Sequence, residues 1–300
     1  MTMSTTKEKT LIWVYPPHKW VTDCKQTFVY GWVKPDSELF IKCNRLEKSV
    51  KTFPNGNFAQ VVKLPYKENI LQLVQVTNKN KRTISRKIIV NNKKLERENT
   101  QFIKEQEKRT PQKKLNSFTI VIDPGHGGKE HGTHSPKGTP EKYFNLQIAQ
   151  LLYKKLSENF KVYLTRNKDK FISLKRRVEF AKKQQCDLLI SIHHNALPDN
   201  KNPLHHKGVG IYYTHSFVKG FAKQLLESIS REAKLNKYGV FKRDFILTKP
   251  DFCCATLIEC GFLIHPEEAE YITRKITQEK IVSGIVKSIN LFVNSAKPLQ

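Results

Sequence analysis

The chain has 300 residues, 38% of them hydrophobic and 27% charged, with 53 Lys and Arg against 27 Asp and Glu for a formal net charge of +26. That length supports one large or two medium domains with cores of their own, so a miniprotein that depends on disulfide staples is excluded. No apolar run reaches the ~18 residues of a transmembrane helix. The basic excess, spread over both halves, draws polyanions such as nucleic acid, anionic lipid or acidic cell-wall polymer without distinguishing among them, and it equally suits a merely solvated surface; no dedicated nucleic-acid motif accompanies it.

The first twenty residues hold Lys7, Glu8, Lys9 and Lys19 and no apolar run of signal-peptide length, so no classical export signal is read there. Between Leu11 and Val90, short β-rich runs at 27–33, 38–42, 57–64, 70–77 and 84–90 are separated by turn residues. That spacing predicts a small all-β sandwich over residues 1–90, and the pattern resembles the immunoglobulin-like accessory modules of bacterial surface proteins. Pro54-Asn55-Gly56 supplies turn chemistry before one strand. Six cysteines contain no C-x-x-C pair, which argues against a zinc ribbon or a thioredoxin-like motif. Cys24 and Cys43 are candidates for a bridge, although connectivity is not specified by sequence.

Residues 91–117 are rich in mixed charge and poor in apolar positions, as expected of a linker. From Phe118 onward strands alternate with helical patterns, which predicts an α/β domain over 118–295: a twisted, largely parallel sheet with helices on both faces. Helices are expected over 141–158, 173–184, 217–234, 266–274 and 278–293, with Ser173 as an N-cap and Pro266 in a first turn. The runs 188–192 and 255–258 are apolar throughout, as buried parallel strands should be.

The chemistry gathers at the ends of these elements. Thr119-Ile120-Val121-Ile122 runs into Asp123-Pro124-Gly125-His126-Gly127-Gly128, a strand ending in a turn that presents one histidine. Glu141 opens a helix, His193 closes the second apolar run, and Glu259 closes the third. In open α/β sheets ligands bind beyond the carboxyl ends of the strands. Two imidazoles and one carboxylate make a three-ligand zinc site with a position left for water, whose pKa falls to about 7 on the metal. A second carboxylate can then move the proton. Singly, each residue is as well explained by turn, core or helix-dipole chemistry, and the glycines match neither phosphate-binding loop pattern. The conjunction carries the inference.

Residues 118–293 resemble the zinc-dependent N-acetylmuramoyl-L-alanine amidases of the amidase-3 family. The match passes in order through Ile122 to Gly128, Glu141 to Leu146, Leu164-Thr165-Arg166 with Asp169, Ser173-Leu174 with Arg177, Ser191 to Ala196, and Ile258 to Leu263 followed by Pro266-Glu267-Glu268. The resemblance implies zinc held by His126, Glu141 and His193, with Glu259 as the catalytic carboxylate. It further implies hydrolysis of the amide between the lactyl group of N-acetylmuramic acid and L-alanine in peptidoglycan. Asn145, Arg166, Arg177 and Asn195 are candidate substrate contacts, while the two arginines equally suit ion pairs bracing the sheet edge. His194, Cys260 and His265 depart from the usual residues without removing a ligand, and His194 should point away from His193. His131, His134, His205 and His206 fall in loops near the same edge. The regulatory helix some members insert before the catalytic glutamate is not evident between Lys234 and Lys249, which implies an open groove. The family implies a place in the cell envelope, whereas the missing leader leaves a cytoplasmic alternative. A non-catalytic binder of wall polymer and a zinc amidase for soluble muropeptides are the competing functions.

Overall fold

The computed structural model describes residues 10–22, 24–44, 46–77, 81–90 and 118–295; the expected linker at 91–117 lies outside the described residues. The N-terminal part is all β: β1 (Leu11–Tyr15), β2 (Trp20–Thr22), β3 (Gln26–Val33), β4 (Glu38–Cys43), β5 (Leu46–Ser49), β6 (Asn57–Lys63), β7 (Glu68–Val76) and β8 (Lys81–Val90). They form a three-stranded sheet, β1-β3-β6, and a five-stranded sheet, β2-β8-β7-β4-β5. Before β6 the Asn55 side chain accepts from Asn57 N at 3.0 Å and Gly56 adopts φ +80°, the positive-φ turn expected of Asn-Gly. Leu11, Trp13, Val29, Phe58, Leu71 and Ile88 fill the space between the sheets. Cys24 and Cys43 are not bridged, and the Cys43 thiol donates to the Lys63 carbonyl at 3.4 Å.

The second part contains β9 (Thr119–Pro124), α1 (Glu141–Leu156), β10 (Lys161–Leu164), α2 (Leu174–Lys183), β11 (Leu188–Asn195), β12 (Val209–Tyr213), α3 (Lys219–Ala233), β13 (Lys237–Lys242), β14 (Cys254–Phe262), α4 (Pro266–Ile272) and α5 (Lys275–Ser295). Its six-stranded sheet has the order β10-β9-β11-β14-β12-β13. The first four strands are mutually parallel; β12 runs antiparallel to β14, and β13 follows β12. The sheet is therefore mixed at one edge, and these last two strands were not anticipated.

Apolar runs without alternation become central strands because both their faces are covered. Ile120, Ile122, Leu188, Ile190 and Ile192 face a layer containing Ile148 and Leu152 of α1, Leu225 and Ile229 of α3, and Ile281 and Ile285 of α5. Val121, Leu189 and Ala255 point to the other face, against Ala181 of α2. Burying each such Leu or Ile side chain contributes about 1.5–3 kcal/mol before entropy. Ser173 caps α2 by accepting from Arg176 N at 3.4 Å, and α4 starts with Pro266 behind a His265 cap.

Candidate active site

Register brings the functional positions together. In the paired strands Ile192 sits beside Pro124 of β9, and His193 sits beside Glu259 of β14, so the carboxyl ends of three adjacent parallel strands emerge side by side. The turn after β9 places His126 at φ +59°, and α1 begins at Glu141 directly across it. His126 Nε2 lies 3.3 Å from Glu141 Oε2, and His193 Nδ1 lies 3.1 Å from Glu141 Oε1. Ligand atoms of His126, Glu141 and His193 all fall within 4.8 Å of one another.

This donor set fits a divalent metal such as zinc, with two nitrogens and one oxygen converging on one point. The chain backs closely onto the donors: a Cβ on Gly125 would stand 2.2 Å from His193 Cε1. One on Gly132, which adopts φ +68°, would stand 2.4 Å from Glu141 Oε2. Glu141 is 3% exposed, and its carboxylate accepts from Asn145 Nδ2 at 2.9 Å, His194 N at 3.0 Å and Thr133 N at 3.0 Å. Burial alone would raise its pKa, but the bonds to His126 and His193, together with their charge interactions, hold it well below the ordinary carboxylate range. An ionised, orientationally fixed carboxylate is what a metal ligand requires.

Glu259 is different. Its Oε2 is buried without a hydrogen-bond partner among the described residues, and its pKa is pushed well up by burial and then by the charge of Glu141. A carboxylate of raised proton affinity that lies outside the donor cluster suits proton transfer. Nearby, the Asn195 side chain lies beside Tyr212, and its Nδ2 is buried with no hydrogen-bond partner among the described residues.

The remaining sequence candidates have other partners. Arg177 is 1% exposed and donates to Asp123 Oδ1 at 2.8 Å, to the Pro124 carbonyl at 2.7 Å and to the His126 carbonyl at 2.6 Å. Arg166 donates to the carbonyls of Pro124, Gly125 and Lys142 at 3.0, 2.8 and 2.8 Å. Asn145 is fully buried between the Gly125 carbonyl, Glu141 and His194 Nδ1. These three hold the histidine turn and the glutamate from behind, which is the bracing alternative for the arginines. His194 is likewise buried, its pKa pushed down to about 4 by burial, and its Nδ1 lies 2.8 Å from Asn145 Oδ1. His131 is exposed and His134 half-buried in the loop before α1, with ring centroids 5.8 Å apart. His205 is exposed, whereas His206 packs against Tyr238 and Phe262. Two contributors were missed. Thr133 acts through its backbone and has no side-chain signal, while Lys142, inside the Glu141 motif, turns inward to Asp169 at 2.7 Å and to the Gly128 carbonyl at 2.7 Å.

Sheet order and donor set together define an α/β protein with a candidate metal site at its strand ends. A profile of the Amidase_3 family, described as N-acetylmuramoyl-L-alanine amidase, matches residues 120–291, and the chain belongs to that family. It is 30% identical over 184 residues to the probable cell wall amidase LytH of Staphylococcus epidermidis, a match covering 60% of either chain. The chain therefore spans less than two thirds of that relative's length. The crystal structure of an N-acetylmuramoyl-L-alanine amidase from Clostridium difficile 630 is similar with TM-score 0.57 and 34% identity, covering 60% of this chain and 98% of that one. The catalytic domain of CwlV, an N-acetylmuramoyl-L-alanine amidase from Bacillus (Paenibacillus) polymyxa var. colistinus, is similar with TM-score 0.55 and 29% identity, covering 59% and 98%.

Proposed function

We propose that the chain is a zinc-dependent amidase that hydrolyses the bond between the lactyl carbonyl of N-acetylmuramic acid and the nitrogen of L-alanine in peptidoglycan. The observation that carries this is the pairing of a tight His126–Glu141–His193 donor set with a Glu259 on the neighbouring strand whose Oε2 is buried and has no hydrogen-bond partner among the described residues. His126, Glu141 and His193 would hold the ion. When bound, zinc supplies a Lewis acid for the carbonyl and makes water acidic enough to ionise near neutral pH.

The chain's own groups do the rest. Glu259 accepts a proton from the attacking water at its free Oε2 and passes it to the departing L-alanine nitrogen, so one water is consumed as the C–N bond breaks. The free Asn195 Nδ2 donates to the acyl portion of the substrate. Asn145, Arg166 and Arg177 keep the His126 turn and Glu141 in place and do not touch substrate. Residues 1–90 form the accessory domain and 118–295 the catalytic domain. The net charge of +26 suits a polyanionic wall, and names of relatives such as the cell wall amidase LytH support a place of action in the envelope. Among the described residues no helix is long and apolar enough to cross a membrane.

Insoluble peptidoglycan incubated with the protein, with chelator, and with chelator followed by zinc tests the proposal when released fragments are identified by mass spectrometry. Stem peptides beginning at L-alanine, lost with chelator and restored by zinc, are expected. Binding without cleavage under all three conditions would favour the non-catalytic binder, and cleavage at another bond would discard the substrate.

A further inference from the structure

The loops that leave the three site-bearing strands are each gripped by the N-terminal sandwich. After His126 the chain reaches Thr133 and His134; the Tyr30 hydroxyl of β3 donates to the His134 carbonyl at 3.1 Å and lies 3.3 Å from the Thr133 hydroxyl. Following His193, Asp199 enters a socket made by the Tyr15 hydroxyl, the Trp20 indole N–H at 3.2 Å and the Thr27 hydroxyl at 3.2 Å. Beyond Glu259, the Pro266 carbonyl accepts from the Asn55 and Asn57 side chains at 3.3 and 2.5 Å. An apolar seam of Phe28, Tyr30 and Ala59 against Phe262 and Ile264 closes the contact.

This seam explains why β3 is buried on both faces. Val29 and Val33 fill the sandwich interior, while Phe28 and Tyr30 project the other way. Left uncovered, that second face would expose contiguous aromatic surface, which soluble proteins rarely do. Tyrosine serves such a place well, because its ring packs while its hydroxyl reaches a polar partner.

From Tyr30 the path to a metal donor is short. Thr133 N donates to Glu141 Oε2 at 3.0 Å, and Glu141 N donates back to the Thr133 carbonyl at 2.8 Å, so fixing Thr133 fixes the carboxylate. We propose that the β1-β3-β6 sheet is a scaffold for the active-site loops rather than a detached targeting module, and that Tyr30 is a positioning residue for Glu141, acting through Thr133 and His134. The proposal rests on the metal role of His126, Glu141 and His193. Partners one step removed from a metal ligand commonly change metal affinity by about 10–100-fold.

The test uses the full chain, with zinc affinity measured by competition against a chromophoric chelator, thermal midpoint by circular dichroism, and kcat and KM on muropeptide at saturating zinc. Tyr30→Phe keeps the ring and removes the hydroxyl; it should weaken zinc binding about tenfold and lower kcat with KM unchanged. Thr133→Val removes the other hydroxyl of the contact and should act in the same direction, which preserves the test if one variant fails to fold. Ile41→Val, which loosens the sandwich interior away from the loops, should lower the thermal midpoint and leave zinc affinity alone. Unchanged zinc affinity in both hydroxyl variants, or an equal loss in Ile41→Val, would overturn the scaffold role. A wild type that binds no zinc would overturn it too, and that result alone would also remove the metal reading.

Discussion

Replacing Gly125 with alanine should dismantle the metal site while sparing the fold. The added Cβ would lie 2.2, 2.3 and 2.6 Å from Cε1, Nε2 and Nδ1 of His193, where ordinary carbon contacts stand at about 3.5–4 Å. The φ of Gly125 is outside the left-handed region, so the methyl adds bulk and no backbone strain. The backbone has little freedom to retreat: Gly125 N donates to the Ile192 carbonyl at 2.9 Å, and its own carbonyl accepts from Arg166 at 2.8 Å and Asn145 at 3.3 Å. The imidazole therefore yields, by more than about 1 Å, against a tolerance of about 0.2 Å in metal–ligand distances. Zinc affinity should fall at least about 100-fold, which is about 2.8 kcal/mol. A chelator-competition titration reads the affinity, and a urea melt of the zinc-free protein checks the fold. Zinc affinity within about threefold of wild type in a folded variant would refute His193 as a ligand held by this contact.

Other consequences are equally direct. Glu259→Gln should retain zinc at wild-type affinity and lose about 10²–10⁴-fold in kcat; a variant with more than a tenth of wild-type turnover would remove Glu259 from proton transfer. Asp123→Ala strips the partner from Arg177, both groups being 1% exposed, and should cost about 3–5 kcal/mol in urea denaturation at pH 7; a loss below about 1 kcal/mol would mean the pair is not a brace. The same pair gives a pH dependence. Burial opposes ionisation of Asp123, but Arg177, Thr165 and Ser191 outweigh it and hold its pKa below the ordinary 3.8. The unfolded chain thus binds the proton more readily, so this stabilisation is complete above the ordinary value and is lost as pH falls through the lowered one. Stability curves of wild type and Asp123→Asn should converge in that acid range, and a gap that stays constant to the lowest pH would contradict the assignment.

What was legible in the sequence is what local chemistry controls. The unbroken apolar runs at Ile120–Ile122 and Leu188–Ile192 announced strands covered on both faces, and they are buried there. Asp123 to Gly128 reads as a strand end because proline and glycine cannot continue it, and helix α1 starts where its charge pattern allows. Strands β12 and β13 escaped because a glycine interrupts each, Gly210 and Gly239, and β13 is half exposed, so no buried alternation marks it. The roles of Arg166 and Arg177 stayed open for another reason: a guanidinium that braces a turn and one that awaits substrate look alike until burial and partners are known. Asp199, in Pro198-Asp199-Asn200, has the composition of an ordinary exposed turn, and only the tertiary contact with Tyr15, Trp20 and Thr27 gives it a task. Phe28 and Tyr30 did leave a trace, since β3 is apolar on both faces, but such a strand does not name what covers it.

The central claim, a single-zinc amidase, is tested most directly by titrating zinc into chelator-stripped protein and counting new L-alanine amino termini released from peptidoglycan at each step. Cleavage that rises linearly, levels at one zinc per chain and disappears in His126→Ala is the predicted result. Cleavage that persists in the stripped protein, or release that exposes no L-alanine amino terminus at any zinc level, would contradict it.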